Sequence, residues 1–324
     1  MKNVVISHRL HEDGMDVLKG KVNTVITNNG NPREIASELG EADGVIIRIG
    51  FMDREAIMAS PKLRVIGRPG VGVDNIDMKA ATEKGIPVVI APGANTLSVA
   101  EHTVGLIFSI AKDIRFSDSE TRKSNFNVRS NYNAIELAGK KLGLIGSGNI
   151  GFQVGRLCKA IDMQVGVYDP YIKPEKIEAA GFFYYASMED LLQESDFVSL
   201  HTPLTEETRG LIGRNELELM KSGAFLINCA RGEEINEEEL IKVLQEKKIA
   251  GAALDVFSEE PLPKGHILTT LENVILTPHM AAQTKEAASR MATMAAEGVL
   301  AVLNGEKWPH VANKEVYNHP IWKN

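Results

Sequence analysis

The first hundred residues alternate short apolar runs with more polar stretches. Val4-Val5-Ile6, Thr24-Val25-Ile26, Val45-Ile46-Ile47, Val65-Ile66 and Val88-Val89-Ile90 are rich in β-branched residues and read as strands. Between them, 33–39 and 54–58 space their side chains as helices do. Strands that alternate with helices build βαβ units and a mainly parallel sheet. The alternation restarts with Leu142-Gly143-Leu144-Ile145, Val165-Gly166-Val167-Tyr168, Phe197-Val198-Ser199-Leu200, Phe225-Leu226-Ile227, Ala252-Ala253-Leu254 and Val274-Ile275-Leu276.

Between the two sets, Val99, Thr103, Leu106, Ile107 and Ile110 follow the period of one long helix. Ser98-Val99-Ala100-Glu101 has the form of a capping box at its start. Helical character returns over 284–303, a segment too short for a third domain that must pack on something already built. The expected fold class is α/β: two Rossmann-like or flavodoxin-like domains with parallel sheets and a cleft between them. One domain is discontinuous, 1–94 plus 283–324, and the other spans 95–282.

Composition narrows the class. The 324 residues suffice for two cores. A net charge of −7 with no long cluster of Lys or Arg argues against a nucleic-acid surface. No stretch approaches membrane-spanning length and the opening MKNVVISHRL lacks a signal-peptide core, so the cytoplasm is the expected compartment. Cys158 and Cys229 make neither a disulfide framework nor a metal spacing, and no metal site is expected.

The strongest local signal is Leu142-Gly143-Leu144-Ile145-Gly146-Ser147-Gly148-Asn149-Ile150-Gly151. It follows an apolar strand, opens a helical stretch over 152–160, and precedes a second strand that ends at Asp169. That is the setting of a dinucleotide fingerprint. Gly146 permits the tight turn, Gly148 lets the backbone approach a pyrophosphate, and Gly151 allows close helix–strand packing. Asp169 would accept from the adenosine ribose hydroxyls and repel a 2′-phosphate, which favours NAD over NADP. Ligand chemistry then belongs at the strand ends of this domain, where His201, Thr202 and Pro203, then Arg231, then Asp255 with Glu259-Glu260-Pro261, then His279 stand in turn.

These residues carry a resemblance. NCARG at 228–232, GAALDVFSEEP at 251–261 and TPHMAAQT at 277–284 resemble the D-isomer-specific 2-hydroxyacid dehydrogenase family, most nearly its phosphoglycerate dehydrogenase branch. GRPGVGVDNID at 67–77, NTLSVAEH at 95–102 and LHTPLTEET at 200–208 match in the same order. The short form, without regulatory C-terminal domains, is expected. The resemblance implies Arg231, Glu260 and His279 as the catalytic arginine, acid and histidine, Glu260 being preferred to Glu259 because it directly precedes the proline. The chemistry agrees. Histidine can exchange a proton with the C2 oxygen of a hydroxy acid near neutral pH, a carboxylate fixes its tautomer, and a permanently charged arginine holds the substrate carboxylate.

The same pattern implies NAD against Gly146, Gly148, Asn149, Ile150, Gly151 and Asp169. It continues with Thr202, Pro203, Cys229, Ala230, Arg231, Asp255, His279 and Ala282. In the first domain, Gly70-Val71-Gly72 resembles the family's backbone clamp for a carboxylate, with Pro69 where alanine is common. Arg48 and Arg68 are candidates for the substrate's distal group. Ile49 and Phe51 depart from the expected small polar continuation, which leaves a hydroxypyruvate or glyoxylate reductase open beside the phosphoglycerate reading. Ala281-Ala282 stands where glycine is frequent, tolerable unless the backbone there has a positive φ. Cys229 and His102 read as structural, and the acids Glu233-Glu234 and Glu237-Glu238-Glu239 as a solvated helix start.

The function these features imply is hydride transfer between nicotinamide and C2 of a small D-2-hydroxy or 2-oxo acid. A non-catalytic NAD(H) sensor on the same fold, like the family's corepressors, is the alternative. Formate dehydrogenase is disfavoured because Glu260 stands where that enzyme has glutamine. Family members also resemble dimers, and 116–132 is the candidate arm for a homodimer partner.

Overall fold

The computed structural model describes residues 1–131 and 133–323. Two compact units emerge: Met1–Asn95 with Gln283–Asn324, and Thr96–Ala282.

The first unit holds β1 (Asn3–Ile6), β2 (Asn23–Ile26), β3 (Gly44–Ile46), β4 (Val65–Gly67) and β5 (Val88–Val89) in the order β2-β1-β3-β4-β5. Every pairing is parallel. In β1, β3, β4 and β5 the apolar runs are continuous because both faces are covered, whereas the edge strand β2 is largely exposed. Val5, Val45, Ile66 and Val88 enter one core, while Val4, Ile6, Ile46, Val65 and Val89 enter the other. The second face is closed by the returning helix Lys285–Leu303, through Ala292, Ala296, Val299 and Val302. Thr284 caps that helix, its hydroxyl accepting from the Ala287 amide.

The second unit holds β6 (Lys141–Ile145), β7 (Gln164–Tyr168), β8 (Phe183–Tyr184), β9 (Phe197–Leu200), β10 (Phe225–Asn228), β11 (Gly251–Leu254) and β12 (Val274–Leu276). Their order is β12-β11-β10-β9-β6-β7-β8, again all parallel. The order reverses between β6 and β9, and in an open parallel sheet that switch point is where ligands bind. The connecting helix Thr96–Ala111 and the helix Asn149–Lys159 cover one face, with Ala100, Ile107, Val154 and Cys158 packed on Leu142, Leu144 and Val165.

Several expectations are corrected. The connecting helix starts at Thr96, so Ser98 lies inside it, and its hydroxyl donates to the Ala281 carbonyl instead of capping. The helix expected over 33–39 is Ala36–Gly40, preceded by turns. β8 was not anticipated: its two residues are exposed and pair with β7 alone. Of the expected arm, Ile114–Arg122 is helical and Phe126–Ser130 a 3-10 turn, while Tyr132 lies outside the described residues. Among the described residues no helix is long and apolar enough to cross a membrane.

Candidate active site

At the end of β6 the chain turns through Gly146 at φ +86, a conformation that favours glycine. A Cβ on Gly151 would run into the Gly146 carbonyl and crowd the His201 ring. This close approach seats the helix Asn149–Lys159 on the strand end. Gly148 caps that helix with no side-chain hydrogen bond, so its first-turn amides are left for an anion. The loop is open there, since a Cβ built on Gly148 would meet no atom within 4 Å. Asp169, 8% exposed at the end of β7, accepts from the Ser147 amide at 2.8 Å and the Tyr171 amide at 3.0 Å. The Ser147 hydroxyl also donates to it at 3.3 Å, and the carboxylate keeps acceptor capacity for a further hydroxyl. Open amides, an open loop and a braced carboxylate fit a dinucleotide.

Three successive strand ends carry the candidate chemistry. Past β10, the buried Asn228 braces the loop: it accepts from the Ala230 amide at 2.9 Å and donates to the Arg231 carbonyl at 2.8 Å. Arg231 itself donates to the Ala230 carbonyl at 2.7 Å. Gly232 must be glycine, because a Cβ there would overlap the Phe257 backbone. The loop therefore lies directly against the segment that follows β11. In that segment Glu260 accepts from the Phe257 amide at 3.1 Å through Oε1 and meets His279 Nδ1 with Oε2 at 2.6 Å. Burial pushes the Glu260 carboxyl up, but the hydrogen bond and charge of His279, the Phe257 amide and the Arg231 charge outweigh it, so it lies below its ordinary value. An ionised Glu260 requires a proton on Nδ1, which leaves Nε2 of the half-exposed His279 for a ligand. Glu259 makes no such contact among the described residues.

The turn bearing His279 has its own support. His279 is itself at φ +50, whereas Ala281 and Ala282 are not in the left-handed region, which meets the condition for alanine there. Asp255, 1% exposed, accepts from the Met280 amide at 2.9 Å and the Ala281 amide at 2.8 Å. Pro203 accepts from the Thr208 hydroxyl through its carbonyl at 2.6 Å. The Cys229 thiol is pushed up to about 12 by burial, which removes it as a nucleophile at neutral pH. Burial likewise drives His201 down to about 4, so its ring is neutral at pH 7.

One residue reverses its expectation. Glu234, read as solvated, is fully buried. Neither of its carboxyl oxygens, nor the nearby buried Thr202 hydroxyl, has a hydrogen-bond partner of good geometry among the described residues. Burial pushes this carboxyl up to about 8, while the Thr202 hydroxyl and the Arg231 charge pull the other way.

In the first unit, the candidate substrate residues gather beyond β3 and β4. Arg68 donates to the Arg48 carbonyl at 3.0 Å and to the Gly72 carbonyl at 3.2 Å. Arg48 reaches the Arg9 carbonyl at 3.4 Å and Gln283 Oε1 at 3.3 Å. The Gly70 amide bends back across Pro69 onto the Arg68 carbonyl at 2.8 Å. The amides of Val71 and Gly72 have no such partner among the described residues, and Val71 is exposed.

A reversed parallel sheet with an open glycine loop and a braced carboxylate defines a nucleotide-binding class of α/β protein, and its strand ends carry a histidine–carboxylate pair near an arginine. Residues 104–281 match the family model described as D-isomer specific 2-hydroxyacid dehydrogenase, NAD binding domain. The chain is 43% identical over 314 residues to the D-3-phosphoglycerate dehydrogenase of Methanocaldococcus jannaschii, covering 97% of this chain and 60% of that one. It is 38% identical over 323 residues to the glyoxylate reductase of Aeropyrum pernix, covering 97% and 96%. The solved D-lactate dehydrogenase of Aquifex aeolicus, complexed with NAD and lactic acid, matches with a TM-score of 0.86 at 31% identity, over 94% of this chain and 96% of that one. The chain spans only 60% and 57% of the first two phosphoglycerate dehydrogenases it matches. It belongs to the D-isomer specific 2-hydroxyacid dehydrogenase family, and the cofactor of its second unit is NAD.

Proposed function

We propose that the protein is an NAD-dependent D-2-hydroxyacid dehydrogenase acting on a phosphoglycerate-type or a hydroxypyruvate- or glyoxylate-type substrate. The observation that carries this reading is the 2.6 Å contact between His279 Nδ1 and Glu260, which leaves Nε2 as the proton-exchanging atom. Held by the second unit, NAD would supply the acceptor for a hydride from C2 of the hydroxy acid, and NADH the donor for the oxo acid. In oxidation His279 Nε2 takes the hydroxyl proton, and in reduction it gives one to the C2 oxygen. Glu260 holds the ring's tautomer and balances the imidazolium charge. Arg231 pairs with the substrate carboxylate and polarises the C2 carbonyl. Gly146, Gly148, Asn149, Ile150, Gly151 and Asp169 hold the dinucleotide, with Thr202, Pro203, Cys229, Ala230, Asp255 and Ala282 along its nicotinamide half. In the first unit, Arg48, Arg68 and the Gly70-Val71-Gly72 backbone form the anion-holding group for the substrate. The proposal extends to a cytoplasmic homodimer, supported by the helix Ile114–Arg122, which buries no residue, and by the exposed Phe126; a monomer mass by light scattering would remove the dimer.

The test is loss of NADH absorbance with phosphohydroxypyruvate, hydroxypyruvate, glyoxylate, pyruvate and oxaloacetate. Turnover of at least one is expected, with His279→Ala lowering kcat by a factor on the order of 100 to 10,000. NADH binding without turnover of any oxo acid, or full activity in His279→Ala, would overturn the reading.

A further inference from the structure

A non-glycine residue at φ +50 keeps that conformation only where its surroundings over-determine it. For His279 the surroundings are unusually complete. Its own amide donates to the Asp255 carbonyl at 2.8 Å, while the Asp255 carboxylate takes the next two amides of the turn. Asp255 Oδ1 also lies 2.5 Å from the Thr277 hydroxyl. Behind this turn stands the connecting helix. Ser98 donates to the Ala281 carbonyl at 2.6 Å, and His102 Nε2 lies 3.1 Å from the Thr277 hydroxyl and 3.6 Å from Asp255 Oδ1. Ser98 and His102 are four residues apart and so share one helix face.

The proton positions follow. A hydroxyl 2.5 Å from a carboxylate oxygen must place its single proton between them. Thr277 therefore has only a lone pair to offer His102, and the His102 ring must carry its proton on Nε2. A chain of hydrogen bonds runs from His102 through Thr277 to Asp255, whose carboxylate accepts from the Thr277 hydroxyl before His279 and from the Met280 and Ala281 amides after it.

We propose that His102, assisted by Ser98, is a positioning residue: it acts through Thr277 and Asp255 to hold the His279 ring on Glu260 with Nε2 presented to the substrate. This rests on the reading that His279 exchanges the substrate proton, yet the positioning itself can be read without turnover. His102→Leu removes the donor at similar bulk, and His102→Gln restores an N–H at similar reach. The first readout is the downfield proton resonance of the His279 Nδ1–H on Glu260, assigned by its loss in Glu260→Gln. The second is kcat against KM.

In His102→Leu the resonance should broaden or move upfield. Its kcat should fall by a factor on the order of 10 to 100, with the oxo-acid KM and the NADH Kd within about threefold of the parent. His102→Gln should recover both. If His102→Leu fails to fold, Thr277→Val breaks the same chain at its middle and should give the same pair of changes. An unchanged resonance in the folded donor-less variant overturns the proposal, as does equal impairment of the Leu and Gln variants. If the parent turns over no oxo acid, the dehydrogenase reading has failed, and the resonance alone still decides the positioning.

Discussion

Glu234 is buried because its backbone is pulled inward. The Ile212 amide donates to the Glu234 carbonyl at 3.0 Å and the Asn236 amide to the Ile212 carbonyl at 2.9 Å, a parallel bridge that seats Ile235 in the core. The Glu234 side chain that precedes it is fully buried as well. With its carboxyl pushed up to about 8 from 4.5, the sign of the pH dependence is fixed. Well below pH 4.5 the folded and unfolded states are both protonated and ionisation of the group contributes nothing. Between 4.5 and about 8 the unfolded chain ionises first, so stability falls as pH rises, and above about 8 the loss is complete. Glu234→Gln keeps the shape and removes the titration. Its melting temperature relative to the parent should rise from pH 5 to about 8, by a stability difference on the order of 1–3 kcal/mol, and then level off. A difference independent of pH over that range would refute the assignment. From the sequence, Glu234 was indistinguishable from Glu237, Glu238 and Glu239, which do begin a helix, behind its Asn236 cap. The catalytic candidates could be named from residue type, strand-end position and the family resemblance, whereas the burial of Glu234 goes with a bridge to Ile212 from another segment.

At the scale of elements, the strands were legible because a strand covered on both faces must be apolar throughout. β8 was not anticipated although it lies in the aromatic run Phe182-Phe183-Tyr184-Tyr185; it is a two-residue edge strand whose Phe183 and Tyr184 are exposed. Ser98 misled as well: the capping-box pattern also arises inside a helix, and what Ser98 bonds is the Ala281 carbonyl, 183 residues away. The glycine loop was readable because Gly146 and Gly151 each answer a local demand. Gly151 offers a sharp check, since its missing Cβ is what lets the helix Asn149–Lys159 sit against Gly146. Gly151→Ala should push that helix off the strand end and move its amides out of register with a pyrophosphate. NADH fluorescence titration should show Kd raised by a factor of about 10 or more, equivalent to ~1.4 kcal/mol or more. An unchanged Kd would mean that the cradle tolerates the shift and that the loop is not the phosphate site.

At the scale of the whole molecule, the chain leaves its first unit at Asn95 and returns at Gln283, so one face of the first sheet is covered only by residues far along the sequence. Periodicity over 284–303 pointed to the helix and the domain reading put it with the first unit, but neither named the residues that seat it. The seat is made by Gly44 and Gly67, whose lack of side chains lets the helix lie close: a Cβ on Gly67 would come within 2.7 Å of Val299 Cγ2. Val299 is fully buried there among Val4, Ile46, Val65 and Val89. Val299→Ala would remove two methyl groups and leave a gap that the backbone cannot close, costing about 1–3 kcal/mol. The effect can be localised because the chain has two tryptophans, Trp308 and Trp322, both in the first unit, while NAD belongs to the second. In a denaturant titration, tryptophan fluorescence then follows the first unit and bound NADH the second. Val299→Ala should move the tryptophan transition to lower denaturant and leave the NADH transition in place, the behaviour of two cores that unfold separately. Should both transitions shift together, the two units share one cooperative unfolding event, and the stability of the nucleotide-binding unit depends on the helix that closes the other.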